Sequence, residues 1–197
     1  MKRYEKIENL RKFKYNRIMA EIEIGAATLD EFPQIAKMDL SFESDYVWKT
    51  QMLEGLGSIE ASFQRIRLPK TIRVSFQAYS TANMEMLIRQ HQILSVRYED
   101  KVIGYLRLEQ DETVNRLVIK TGGVTPEYRN KGVGTVLLER VSEIARNNNI
   151  RSLVCMVQAK NDPAIHFLMA RGFVFCGYQE FFFRNMEIGL FFSKNIR

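Results

Sequence analysis

The stretch from Val124 to Gly134, Val-Thr-Pro-Glu-Tyr-Arg-Asn-Lys-Gly-Val-Gly, constrains this chain more than any other. Leu117, Val118 and Ile119 precede it as an apolar run suited to a buried strand, and Pro126 with its polar neighbours ends that strand. From Val133 onward, apolar residues recur at Val136, Leu137, Val141, Ile144 and Ala145, on one face of a helix. A strand, a glycine loop and a helix N-terminus together make an anion site. The first amides of a helix lack partners within it, and the macrodipole adds partial positive charge there. Glycine lets a phosphate come close to the backbone.

Antiparallel strands lead up to this loop. Gln92–Tyr98 and Val102–Leu108 flank a Glu99-Asp100 turn, and a second turn at Gln110–Glu112 precedes a strand over Val114–Val124. After the helix, Asn147-Asn148-Asn149 tolerates left-handed geometry and ends it, and Leu153–Val157 reads as a buried strand. Phe173–Glu180 and Phe181–Phe192 read as closing strands joined near Arg184 and Asn185. Toward the N-terminus, Glu21–Gly25 alternates as a half-buried strand. Thr28 and Glu31 form a capping box for a helix carrying Phe32, Ile35, Ala36 and Leu40. Between Phe42 and Thr81 the pattern supports only a packed segment at Tyr46, Val47 and Trp48 and a strand over Ile72–Phe76; a short helix is expected over Met84–Gln90. No chemical motif stands out from Phe42 to Gln90.

Composition narrows the class. The chain has 197 residues, 46% hydrophobic and 26% charged, as in a globular domain. No apolar run reaches the ~18 residues of a membrane helix, so no membrane partner is expected. The charged opening Met1–Lys6 leads to no apolar signal region, and with only Cys155 and Cys176 the expected setting is cytoplasmic. Neither cysteine has metal-ligand spacing, His91 and His166 are the only histidines, and no metal site is expected. The net charge of +6 suits an anionic ligand. No helix-turn-helix, finger or aromatic RNA-binding signature appears, so nucleic acid is not expected. Residues 1–19 read as a basic helical arm, a solvated appendage rather than a binding arm, and residues 20–197 as a single domain.

The loop lacks the spacing of a P-loop, and Leu137 stands where a dinucleotide fingerprint needs its third glycine. Its pattern, Arg129-x-x-Gly132-x-Gly134 after Val124-x-Pro126-x-x-Arg129, resembles the acyl-CoA pyrophosphate loop of the GNAT family of N-acetyltransferases. One helix and one strand later, Asn161-Asp162-Pro163-Ala164 leading to Gly172-Phe173 resembles the family helix that packs along the cofactor. The resemblance covers residues 90 to 192 well and the N-terminal half loosely. The aromatic ending from Gly172 through Phe192 is similar to that of streptothricin acetyltransferases, and equally to plain strand packing.

This resemblance implies an α/β fold, with a mixed, mainly antiparallel twisted sheet, helices on both faces and a splayed pair of parallel strands. It implies acetyl-CoA as co-substrate and direct transfer to a primary amine of a small molecule or peptide. An acyl-CoA-binding module with little transfer is the alternative, and a homodimer stays open. The pantetheine arm would pair with Gly122, Gly123 and Val124, where the glycine pair suits a bulge. Backbone amides of Arg129, Asn130, Lys131, Gly132, Val133 and Gly134, with Thr135 beside them, would hold the pyrophosphate, Arg129 or Lys131 adding charge, and Asn161 would orient cofactor or backbone. The sequence departs from the family at two places. Leu168 holds the usual position of the tyrosine that protonates the thiolate, and Lys120-Thr121 replaces an acidic pair. Tyr178 is the substitute proton donor put forward, with Tyr105 and His166 weaker and Cys155 read as a buried inert thiol.

Overall fold

The computed structural model describes residues 21–75 and 81–196; the expected basic arm lies outside them. Strand β1 (Glu23–Ala26) is followed by a 3-10 turn, Leu29–Glu31, and by helix α1 (Phe32–Ala36). Then come β2 (Phe42–Gly55), β3 (Ser58–Val74), α2 (Thr81–Arg89), β4 (Ile93–Tyr98), β5 (Lys101–Asp111) and β6 (Arg116–Val124). A 3-10 turn at Pro126–Tyr128 leads to α3 (Val133–Asn147), β7 (Ser152–Gln158), α4 (Asp162–Met169), β8 (Val174–Gln179) and β9 (Gly189–Asn195). The described residues fall into two compact units. The first draws on residues 21–40, 81–155 and 195–196, the second on residues 41–75 and 156–194.

In the first unit, β1, β4, β5, β6 and the start of β7 lie side by side in that order. All pairings among them are antiparallel except β6 with β7, which is parallel from Arg116↔Ser152 to Ile119↔Cys155. The mixed, mainly antiparallel sheet expected from the sequence is therefore present. Glu99 and Asp100 have φ of 47° and 61°, the left-handed pair that a two-residue hairpin needs to match strand twist. The next turn sits later than expected, at residues 112–115. Asp111 holds it there: Oδ1 accepts from the Thr113 amide at 3.2 Å and Oδ2 from Arg116 Nε at 3.1 Å. The N-terminal helix stops at Ala36, short of Leu40. Its capping carboxylate does form, with the Thr28 amide donating to Glu31 Oε2 at 2.9 Å. Glu31 is buried and also accepts from Ser95 Oγ at 3.0 Å and Arg97 Nη1 at 2.6 Å, which anchors the cap to β4. Ile35, Leu40, Met84, Leu87, Ile88, Ile93, Val102 and Tyr105 form the apolar cluster beneath it.

The bulge in β6 does not fall on the glycine pair. The β5–β6 register passes from Arg107↔Thr121 to Leu108↔Ile119, so Lys120 is the extra residue. Gly122 answers a separate demand. Its φ is +133°, and a Cβ there would stand 2.1 Å from the Tyr105 carbonyl oxygen.

In the second unit, β2 and β3 form a long antiparallel hairpin turning at Gly55–Ser58, where Gly57 has φ +85°. The sequence left most of this ribbon unassigned because it is exposed on both sides along much of its length and shows little alternation. Its register shifts between Ser44 and Tyr46, opposite the stretch containing Pro69, which has no amide to give a ladder. Strands β8 and β9 pair antiparallel. They are shorter than expected, because residues 180–188 form a connecting loop with positive φ at Phe181 and Met186. Phe182 packs there on Phe183 and Phe191, with ring centroids 5.0 and 5.1 Å away. Strand-favouring aromatics thus serve the loop. Among the described residues no helix is long and apolar enough to cross a membrane.

Candidate functional site

The glycine loop is built as its residues dictate. The Thr125 amide bonds the Ile103 carbonyl at 2.9 Å, which ends β6 against its neighbour. Pro126 then starts a single 3-10 turn, closed by Tyr128 N to Thr125 O and Arg129 N to Pro126 O. Asn130 with φ 57° and Gly132 with φ 91° turn the backbone left-handed on either side of Lys131, and Gly132 caps α3. The helix ladder begins with Thr135 and Val136 donating to the Gly132 carbonyl at 2.9 and 3.2 Å. Amides 130–134 meet no backbone acceptor among the described residues. They form the concave, positively polarised rim of a nest at a helix N-terminus.

The Arg129 amide, expected among the loop's ligand amides, is taken by the Pro126 carbonyl, and the Arg129 side chain bonds within the loop. Its Nε donates to the Val124 carbonyl oxygen at 2.8 Å, tying the loop back onto β6. Burial pulls this guanidinium below its ordinary pKa, and the charge of Asp39 opposes that pull. Lys131 is exposed, with its ammonium 5.2 Å above the Tyr128 ring. The parallel register of β6 with β7 ends at Ile119↔Cys155, while β6 runs on to Val124. Gly122, Gly123 and Val124 therefore lie past the last rung, with the Val124 carbonyl met by Arg129 Nε. Lys120, at the bulge, faces Glu109, with Nζ 3.6 Å from Oε1; Arg107 reaches the same carboxylate at 3.1 Å. A carboxylate is thus present on β5 where β6 supplies none.

The remaining candidates are placed as follows. Asn161 is the N-cap of α4, its side-chain oxygen accepting from the Ala164 amide at 3.2 Å, so it orients backbone. Leu168 is 4% exposed, an apolar core residue of the same helix. Tyr105 is fully buried within the first unit. Tyr178 lies half-buried on β8, its ring 5.1 Å from Phe63 and its hydroxyl turned to the Met52 sulfur. Burial pushes the Cys155 thiol up to about 12, which makes it inert at neutral pH. His166 sits one helical turn after Asp162, with Nδ1 3.2 Å from Oδ1 of that carboxylate.

A second constellation was not legible in the sequence. Asp162, the first helical residue of α4, is buried and receives Arg65 Nε at 2.8 Å, Arg65 Nη2 at 2.9 Å and Trp48 Nε1 at 2.9 Å. The Arg65 guanidinium also stacks 3.3 Å above the Tyr46 ring. Burial alone would push Asp162 up, but the Arg65 and Trp48 hydrogen bonds outweigh it, and the carboxyl stays below its ordinary range. Tyr46, Arg65 and Asp162 form one wall of an open hollow of about 340 Å³, whose other lining includes Glu43, Asp45 and Thr71. Its carboxylates outnumber its one guanidinium, so it suits a cationic group. Sequence distance hid it, since Arg65 and Asp162 are separated by 97 positions. The one available signal was Trp48, the only tryptophan of the chain, beside a tyrosine two positions away.

The acetyltransferase (GNAT) family model matches residues 60–173 of the 197, and the chain belongs to that family. Among curated relatives, "Probable N-acetyltransferase san" of Drosophila melanogaster is 33% identical over 93 residues, covering 46% of this chain and 50% of that protein. The streptothricin acetyltransferase of Streptomyces lavendulae is 32% identical over 84 residues, covering 43% and 44%. The chain thus spans about half the length of the curated relatives it matches. Among solved structures, a nourseothricin acetyltransferase superposes with a TM-score of 0.76 at 20% identity, over 89% of this chain and 99% of that one, a likeness of fold.

Proposed function

We propose that this chain is an N-acetyltransferase that moves the acetyl group of acetyl-CoA to a primary amine of a small molecule or peptide. The observation that carries the reading is the row of amides 130–134 that meet no backbone acceptor among the described residues, set at the start of α3 by left-handed turns at Asn130 and Gly132. Such a row fits the pyrophosphate of the co-substrate, and the edge of Gly122–Val124 past the parallel register fits its extended amide arm. The arriving ammonium gives one proton to solvent, the neutral amine nitrogen attacks the thioester carbonyl carbon, the carbon–sulfur bond breaks, the nitrogen gives a second proton to solvent as the amide forms, and the departing thiolate takes up a proton. We assign that proton to the Tyr178 hydroxyl, whose partner, the Met52 thioether, is a weak acceptor that leaves the phenol able to donate. The acid-lined hollow at Glu43, Asp45 and Asp162 suits the acceptor, since an amine arrives as an ammonium ion.

A second reading, an acyl-CoA-binding module with little transfer, is favoured by one observation: Leu168 is an apolar core residue and can donate no proton. Free-thiol release separates the two. The protein is mixed with acetyl-CoA and, in turn, streptothricin, lysine amide and a short peptide with a free N-terminus. The enzyme reading expects amine-dependent thiol release with at least one of them. Tight acetyl-CoA binding with release at background for all would establish the binding module instead.

A further inference from the structure

We infer that Arg65 and Asp162 are positioning residues for the acceptor, a clamp that locks the β2–β3 hairpin onto the first turn of α4 and so sets the shape of the hollow. The inference deepens the transferase reading and rests on it for the identity of the occupant.

The geometry is that of a fixed device. Arg65 meets Asp162 through two roughly parallel hydrogen bonds of 2.8 and 2.9 Å, the fork-to-carboxylate arrangement that fixes orientation as well as distance. The Tyr46 ring, on the opposite strand of the hairpin, lies 3.3 Å under the guanidinium and holds it flat. Tyr46 and Arg65 are near neighbours across that ladder, where Tyr46 pairs with Arg67 and Trp48 pairs with Arg65. Trp48 reaches the same carboxylate oxygen from the ladder partner of Arg65, and its amide donates to the Ala159 carbonyl at 2.9 Å. The hairpin is thus pinned at three groups to the segment that enters α4. Toward its tip, from Gln51 to Gln64, the described residues of the ribbon are largely exposed, with Met52 and Phe63 meeting Tyr178.

Two consequences follow for the hollow. The clamp neutralises Asp162, so the negative charge offered to an occupant comes from Glu43 and Asp45. It also fixes Arg65 as a wall stacked on Tyr46, because the guanidinium cannot turn without releasing the carboxylate. Lysine can replace this arginine only in part, since an ammonium keeps the charge but lacks the planar fork and the stacking face.

The test uses the full chain with Arg65→Met, Arg65→Lys and Asp162→Asn. Steady-state kinetics with acetyl-CoA and streptothricin or lysine amide should show the acceptor KM raised about tenfold in Arg65→Met, with kcat and the acetyl-CoA KM within about twofold. Arg65→Lys should recover part of the loss. A change that falls equally on both substrates, or on neither, overturns the inference and leaves the clamp a purely structural tie. Trp48, the only tryptophan, gives a readout that needs no turnover. Its emission should shift red and become more open to acrylamide in Arg65→Met, and it should change saturably on titration with the same amine, more weakly in the variant. If the wild type releases no thiol with any amine, the transferase reading fails, and the clamp is judged by fluorescence alone. A saturable amine response weakened in Arg65→Met still supports it, and emission indifferent to both amine and mutation overturns it.

Discussion

The Nε of Arg129 donates to the carbonyl oxygen of Val124 at 2.8 Å, closing the glycine loop onto the end of the strand that precedes it. The arginine of the loop pattern ties the loop to the end of β6. Replacing it with alanine should raise the acetyl-CoA Kd tenfold to hundredfold, since a hydrogen bond to a charged group contributes about 1.5–3 kcal/mol. Lysine should recover little, because it keeps the charge without the fork. Isothermal titration checks both; a Kd unchanged in the alanine variant would remove the loop-closing role.

Gly122 should not accept a side chain. A Cβ would lie 2.1 Å from the Tyr105 carbonyl oxygen, in a backbone with φ +133°. Gly122→Ala should cost about 2–4 kcal/mol of stability through strain and displacement of β5. Urea unfolding measures it, and a midpoint equal to wild type would show that the sheet absorbs the change without cost.

The two cysteines should differ sharply. Cys176 is exposed, while Cys155 is half-buried as a residue and its thiol is pushed by burial up to about 12. Iodoacetamide at pH 8 should add one label to the folded protein and two in urea, read by mass spectrometry. The sign of the linkage is also set. The folded pKa lies above the unfolded one, so the unfolded chain loses its proton first. Stability should therefore fall as pH rises above about 9, by up to roughly 1.4 kcal/mol per pH unit.

Asp162 titrates in the opposite sense. Its carboxyl lies below the ordinary range in the folded protein, so its contribution is complete above the unfolded value, about 3.9, and is lost as pH falls through the folded one. Trp48 emission should hold constant down to about pH 4 and change below it. Asp162→Asn should abolish that step, and an identical acid transition in the variant would assign it to another group.

Tyr178→Phe tests the proton donor. On the transferase reading kcat should fall about tenfold to a hundredfold with acetyl-CoA affinity intact. Full activity in the phenylalanine variant would shift proton transfer to solvent or to another residue.

The strand, loop and helix around Gly132 were legible because they depend on near neighbours. Pro126 can only start a turn there, Asn130 and Gly132 accept left-handed backbone, and the apolar face of Val133–Ala145 has helical period. Asn161 was singled out only through the family resemblance, and the structure shows it as the N-cap of α4. The bulge was misplaced by two residues, because glycine announces freedom of backbone but the register is decided by β5.

The clamp shows the limit most plainly. The identities of Arg65, Trp48 and Asp162 are written in the chain, but nothing local distinguishes Arg65 from Arg67 or Arg73 along an exposed ribbon. Local chemistry, acting over a few residues, determined the anion loop and its helix. Pairing across 97 positions, decided only when hairpin and helix pack, made an ion pair of Arg65 and Asp162 and a hollow beside it. Hydrogen bonds between distant groups form only after burial brings them together and excludes water, so tertiary structure alone could place them.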